Sequence, residues 1–249
     1  MTAIVVTGGT GTLGLPTVAA LRDAGQWVRV LSRRTGPGLT KADLLTNVGV
    51  REALEGAHTV VHLATTGSRT DVDASRNLFA AARSAEIRHL VLISIVGVDR
   101  IPLPYYRDKA TIERMLVDSG LPHTTLRSTQ FYPLLDRIFA AQHRTPLVLA
   151  PMFRVQPIDT TEVAARLVEL TLGQPAGRVA DIAGPEQRRG TEFARLWAGA
   201  GGVSQPIVPL VLPGRTYWRF AAGNALVDGP PAGHITYSEY LANRPARTH

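Results

Sequence analysis

Three sets of residues have types and spacings that could do chemistry together. The first is Thr7-Gly8-Gly9-Thr10-Gly11-Thr12-Leu13-Gly14, which follows the apolar run Ala3-Ile4-Val5-Val6 and precedes Leu15 to Leu21, apolar at helical spacing. Glycines between a strand and a helix suit a phosphate. Gly8 and Gly11 let the backbone approach closely, Gly14 lets the helix pack on the strand, and the helix N-terminus offers N–H groups and a positive dipole end. The second set is Arg33-Arg34, just after the strand-like Trp27 to Leu31. A NAD site carries an acid on the ribose about 20 residues beyond the glycines. Two guanidinium groups there instead suit a 2′-phosphate, although two arginines could equally be a solvated turn. The third set is Tyr105 and Lys109, four residues apart and so on one helix face, with Ser94 upstream. Tyr106 belongs to a different face. A lysine stem over an aromatic surface would give the same spacing, and Ser94 taken alone could be a structural hydroxyl.

The elements that must position these groups alternate between strand and helix. Lys41 to Leu45 gives a weak strand signal, Val50 to Gly56 a helical one, and His58 to Ala64 a strand ending in the small residues Ala64-Thr65-Thr66-Gly67. Small residues at the end of a strand let a ligand pass where strand order reverses. His62 lies inside that run and is read as a core histidine. Val72 to Ile87 predicts a helix with Leu78, Phe79, Ala82 and Ala85 on its apolar face. His89 to Gly97 predicts a strand, and the helix carrying Tyr105 and Lys109 ends near Ser119 before Gly120 and Pro122. The pattern predicts an α/β, Rossmann-type doubly wound parallel sheet.

Composition narrows the classes. The chain has 249 residues, 45% hydrophobic and 19% charged, within the range of an ordinary globular protein. It has no cysteine, so disulfides, thiolate metal sites and a cysteine nucleophile are excluded. Its net charge of +7 is carried almost wholly by arginine, since Lys41 and Lys109 are the only lysines. The arginines are dispersed and lack interleaved aromatics, so no nucleic-acid partner is expected. No membrane span and no metal site stand out, and a strand beginning at residue 3 leaves no room for a signal peptide. The expected location is therefore the cytoplasm.

On these residues the sequence resembles the short-chain dehydrogenase/reductase superfamily, in its atypical, NmrA-like and NAD(P)H-binding branch. The resemblance is carried by TGGTGTLG (7–14), LSRR (31–34), ADLL (42–45), VVHLAT (60–65), LISIVGVDR (92–100), PYYRDKATIERML (104–116), LPHTTLRSTQFYP (121–133) and VQPIDTTEVA (155–164). It implies a single domain over 1–249, with a Rossmann core to about residue 130 and substrate-side elements interleaved over about 131–249. It implies NADP(H) held by Thr7, Gly8, Thr10, Gly11, Thr12, Leu13, Arg33, Arg34, Asp43, Leu44, Leu63, Ala64, Thr65, Lys109, Thr129 and Phe131. It further implies a catalytic set on Ser94, Tyr105 and Lys109. In that set Tyr105 donates a proton, Lys109 binds the nicotinamide ribose and lowers the tyrosine pKa, and Ser94 holds the substrate oxygen. A nearby cation does favour a phenolate and draws a pKa of about 10 toward neutrality.

The second half is less readable. Leu134 to Gln142 predicts a helix, Leu147 to Pro151 and Phe153 to Ile158 short strands, and Asp159 or Thr160 a helix cap with Glu162 completing a capping box. Val179 to Gly184 predicts a last strand. Phe131, Tyr132, Tyr217, Trp218 and Phe220 could wall a substrate pocket or simply fill the core. The leading expectation is an NADPH-dependent oxidoreductase of a small carbonyl or enone. The alternatives are a non-catalytic NADP(H) sensor and a nucleotide-sugar epimerase or dehydratase. The partner is a small molecule, and oligomeric state is open.

Overall fold

The computed structural model describes residues 3–244. Its centre is a parallel sheet of β1 (Ala3–Thr7), β2 (Val28–Ser32), β3 (Leu39–Lys41), β4 (Ala57–His62), β5 (His89–Ile95), β6 (His123–Ser128) and a short β7 (Gly177–Arg178). The spatial order is β3-β2-β1-β4-β5-β6-β7 and every pairing is parallel. Both faces of such a sheet are covered, and every residue of β1 is buried.

Two helical layers do the covering. On one face α1 (Gly14–Asp23) packs with α2 (Thr160–Leu172) over Val6, Val61, Val91 and Leu126. On the other face α3 (Val50–Leu54), α4 (Thr70–Ser84) and α5 (Pro104–Asp118) bury Leu54, Leu78, Phe79, Ile112 and Leu116 against Val5, Val60, Leu90 and Leu92. Each fully buried leucine of this set contributes roughly 1.5–3 kcal/mol relative to exposure. The alternation along each strand therefore decides which helical layer a side chain meets, and this matters for the site below.

A smaller core lies beyond the sheet. It joins α6 (Tyr132–Ala140), α7 (Gly190–Gly201) and α8 (Tyr237–Asn243) around Tyr132, Phe139, Phe193, Trp197 and Tyr237. A parallel pair, β8 (Val148–Pro151) with β9 (Ile207–Leu210), and an antiparallel pair of two-residue strands, β10 (Arg154–Val155) with β11 (Arg188–Arg189), border it. A last short helix, α9 (Arg215–Ala221), brings Phe220 against Phe153 and Tyr106.

Three sequence expectations are corrected. The sheet's last strand is Gly177–Arg178, and the expected 179–184 segment keeps one bridge, Ile182 to Ser128. Asp159 caps α2 by accepting from Thr161 N–H, but Glu162 completes no capping box. Its carboxylate instead accepts the backbone N–H groups of His234 and Ile235, which pins the distant C-terminal segment. Leu63 and Ala64 lie past the end of β4, which stops at His62.

Candidate active site

The chain runs β1-β2-β3 in one direction and returns to lay β4 on the other side of β1. Strand order therefore reverses between β1 and β4, and a crevice opens beyond their carboxyl ends, where such sheets bind ligands. A cavity of about 1080 Å³ lies there. That is at the upper end of the roughly 300–1,000 Å³ common for small-molecule sites, and large enough for a dinucleotide with a second molecule.

The glycine loop forms one wall of the cavity, through Thr7, Gly8, Thr10, Gly11, Thr12, Leu13 and Gly14. Gly8 has φ +70°, and a Cβ on it would come 2.6 Å from Ala64 N. A Cβ on Gly14 would come 2.1 Å from the Gly8 carbonyl oxygen. Only glycine allows the loop to fold under the β4 turn and α1 to start this close. The start of α1 then faces the cavity with no acidic residue in its first turn, so its dipole is free to meet an anion.

Arg33 and Arg34 are exposed and line the same cavity with Ser32, Asp43 and Leu44. Among the described residues neither arginine is paired with a carboxylate. Arg33 also lines a small adjoining cavity of about 220 Å³ with Lys41. Lys41 was not foreseen as a site residue; its signal was its rarity, as one of two lysines in the chain.

At the far end stand Tyr105 and Lys109, one turn apart on α5, as the spacing predicted. Lys109 Nζ is 5.9 Å from the centre of the Tyr105 ring. Lys109 is only 4% exposed, and among the described residues its ammonium has no hydrogen-bond or ion-pair partner. Burial pushes its pKa down, while the charges of Asp71 and Glu113 oppose the shift. An ammonium at the edge of a cavity without acceptors is costly to maintain, and ligand hydroxyls would complete it. The Tyr105 phenol lies above its ordinary pKa, pushed up mainly by burial. The expected lowering by Lys109 is therefore not what governs the polypeptide itself.

The hydroxyl beside Tyr105 is also not the expected one. Thr65 Oγ1, on the turn after β4, lies 3.2 Å from the Tyr105 hydroxyl. Thr65 in turn donates to Asp71 Oδ2 at 2.5 Å, and Asp71 accepts from Thr66 N–H at 2.8 Å. Asp71, in the first turn of α4, was missed by sequence reasoning, because an acid there reads as an ordinary helix-start residue. Ser94 is 3% exposed, its Oγ has no partner among the described residues, and it is not part of the cavity wall. Alternation on β5 turns Ile93 and Ile95 to the cavity. Ser94 pairs in register with Arg127, whose guanidinium is held by Glu113 of α5 and by Asp99.

Of the remaining expected residues, Leu63, Ala64, Thr129 and Phe131 all line the cavity. His62 does not. It is buried between Thr7 Oγ1 at 2.7 Å and Ser75 Oγ at 3.0 Å, with its pKa lowered to about 3 by burial and then by Lys109. The aromatic alternatives are decided by packing. Phe131 and Phe220 reach the cavity together with Tyr106 and Phe153. Tyr132 is core, its hydroxyl on the Ile235 carbonyl at 2.7 Å, Tyr217 packs behind Phe153, and Trp218 is 60% exposed. The polar end of the cavity is thus the glycine loop and the arginines, and the apolar, aromatic end is beside Tyr105. The Gly8 and Gly14 contacts and the unpartnered Lys109 ammonium fit a dinucleotide spanning the two.

The comparisons agree with that geometry. A family model described as NAD(P)H-binding matches residues 8–137. The chloroplastic protein High Chlorophyll Fluorescence Phenotype 244 of Arabidopsis thaliana is 31% identical over 209 residues, covering 74% of this chain and 52% of its own length. The chain thus spans about half of that relative. A nucleoside-diphosphate-sugar epimerase from Staphylococcus aureus superposes with a TM-score of 0.81 at 17% identity, over 96% of this chain and 99% of that one. The NADPH-dependent quinone oxidoreductase of Escherichia coli, solved with NADPH, superposes with a TM-score of 0.79 at 18% identity, over 96% and 98%. At these identities the structural likenesses show the fold. Among the described residues, no helix is long and apolar enough to cross a membrane.

Proposed function

Because the chain belongs to the NAD(P)H-binding family, we propose that it is an NADPH-dependent oxidoreductase acting on a small, apolar carbonyl or enone compound. The observation that carries this reading is a single cavity with a phosphate cradle and free arginines at one end and a phenol beside a buried ammonium at the other. Gly8, Gly11 and the start of α1 hold the pyrophosphate, and Arg33, Arg34 and Lys41 hold the 2′-phosphate. Asp43, Leu44, Leu63 and Ala64 flank the adenosine side, and Thr129 and Phe131 the nicotinamide side. When bound, NADPH supplies a hydride. Lys109 donates hydrogen bonds to ribose hydroxyls. Tyr105 gives its proton to the substrate oxygen as that oxygen gains charge, and solvent restores the proton to the phenolate. Thr65 serves as the hydroxyl neighbour of Tyr105. Phe131, Phe153, Phe220 and Tyr106 exclude water from the reacting end and favour a flat, apolar substrate.

The test is turnover of a quinone and enone panel with NADPH by wild type and Tyr105→Phe. Loss of the proton donor is expected to lower kcat by about 10²–10⁴-fold with NADPH affinity unchanged. Full activity in Tyr105→Phe would refute the mechanism. The burial of Ser94 away from the cavity favours a second reading, a non-catalytic NADP(H)-binding regulator. That reading expects no turnover, and affinities that differ between NADPH and NADP.

A further inference from the structure

Thr65 Oγ1 is bonded on three sides: to Asp71 Oδ2 at 2.5 Å, to the Tyr105 hydroxyl at 3.2 Å and to Gly67 N–H at 3.2 Å. A threonine hydroxyl has one proton, and an ionised carboxylate has none. Asp71 is held ionised. Burial alone would push its carboxyl up, but the bonds from Thr65 and from the N–H and hydroxyl of Thr66, with the Lys109 charge, bring it below the ordinary carboxylate value. The Thr65 proton is therefore committed to Asp71, and toward Gly67 and Tyr105 this hydroxyl can only accept.

We propose that Asp71 is a positioning residue of the site: by taking the only proton of Thr65, it leaves Thr65 able only to accept from Tyr105, and so holds Tyr105 as the phenol that gives a proton in reduction. The proposal rests on the reading of Tyr105 as proton donor. A Tyr105 phenolate would find no donor in Thr65 and a carboxylate behind it. Burial already pushes the phenol up and the Asp71 charge adds to it. A Thr65 O–H turned toward Tyr105 would act the other way, but that proton is on Asp71. The other groups around the pair are Lys109 of α5 over the ring, Glu113 one turn further, Tyr106 edge-on and the neutral His62 of β4. Of these only Lys109 favours the phenolate, and it sits at the ring and not at the hydroxyl's partner. The arrangement keeps Tyr105 protonated, as a proton donor in reduction must be, and leaves little phenolate to act as the base in the reverse oxidation of an alcohol at neutral pH.

The test compares wild type, Asp71→Asn, Thr65→Val and Thr65→Ser as pH profiles of kcat and KM, with NADPH and 1,4-naphthoquinone. Asn keeps one acceptor oxygen, for the N–H and hydroxyl of Thr66, puts an NH2 donor where Oδ2 faced Thr65, and removes the charge, so the Thr65 proton is free to turn toward Tyr105. Asp71→Asn is expected to move the alkaline limb of kcat to lower pH with little change in KM. Thr65→Val is expected to lower kcat by about tenfold, in line with one lost hydrogen bond, and Thr65→Ser to restore it. An alkaline limb in Asp71→Asn superimposable on wild type overturns the proposal. If wild type turns over no acceptor, the oxidoreductase reading fails separately. The ultraviolet phenolate titration of Tyr105, read as the difference from Tyr105→Phe, then decides this point: a lower midpoint in Asp71→Asn supports the positioning role, and an unmoved one overturns it.

Discussion

At the scale of single residues, charge and burial set the behaviour of the site. Arg33 is exposed, unpaired among the described residues and at the cavity wall, so its guanidinium is available to an anion without first breaking an internal bond. Arg33→Ala is expected to weaken NADPH binding by about 1.5–3 kcal/mol, the worth of a charge-assisted hydrogen bond, and to leave NADH binding nearly unchanged. Titrations of wild type and Arg33→Ala with both cofactors check this, and equal losses for the two cofactors would remove the 2′-phosphate assignment. His62 makes a prediction about stability. Its folded pKa is lowered to about 3 from 6.5, so between those values the unfolded chain binds a proton that the folded chain refuses. Its contribution is present in full above pH 6.5 and is lost as pH falls toward 3. Urea unfolding is expected to show about 2 kcal/mol less stability at pH 5 than at pH 7 from this group, and His62→Asn is expected to flatten that slope. Tyr105 and Lys109 were legible in sequence, because helical spacing converts directly into a shared face. The Thr65–Asp71 pair was not, because it joins a turn to a helix start through side-chain hydrogen bonds that no periodicity encodes.

At the scale of elements, the strands and the first helices follow from pattern alone. β1 and β5 carry the apolar runs Ala3 to Val6 and Leu90 to Ile93, buried on both faces, and α5 shows its core positions at helical spacing. What pattern misjudged were the ends and the partners. Ser94 was placed correctly on β5, yet the pleat turns it toward the layer of α5 and Arg127, since successive side chains point to opposite faces. Glu162 stands where a capping box would have it, yet its carboxylate bonds His234 and Ile235 across 72 and 73 residues of chain. Removing that carboxylate in Glu162→Ala leaves two backbone N–H groups without their acceptor. The expected cost is about 1–3 kcal/mol, with faster proteolysis in the stretch from Gly229 to Ile235. Urea unfolding and limited proteolysis check it. If Glu162→Ala matched wild type in both, Glu162 would be a helix-surface acid and nothing more.

At the scale of the whole molecule, the smaller core beyond the sheet is tied together by one buried carboxylate. Asp136 on α6 accepts from the Tyr237 hydroxyl at 2.7 Å, the Tyr240 hydroxyl at 3.2 Å and Arg244 at 3.0 Å, all on or just after α8. Asp136→Ala would leave a largely buried guanidinium and two hydroxyls without their shared acceptor. A loss of about 3–5 kcal/mol is expected, seen as a lower Tm with the apolar end of the cavity loosened and KM for substrate raised more than the Kd for NADPH. A fall in NADPH affinity as large as the change in KM would show instead that the two halves do not respond separately.

The sequence by itself determined the parallel sheet, the glycine loop at its switch point, the arginines at one end of the site and the Tyr105–Lys109 pair at the other. These are local: each depends on residues within a few positions of one another, and the 2.0 and 3.6 periods carry them. Only the tertiary structure decided which hydroxyl stands beside Tyr105, that Asp71 commands it, that Ser94 and Tyr132 lie away from the cavity while Phe131, Phe153 and Phe220 line it, and that Glu162 and Asp136 anchor the last helix. Those facts depend on contacts between segments tens to a hundred residues apart, set by packing and by the need of each buried polar group to find a partner.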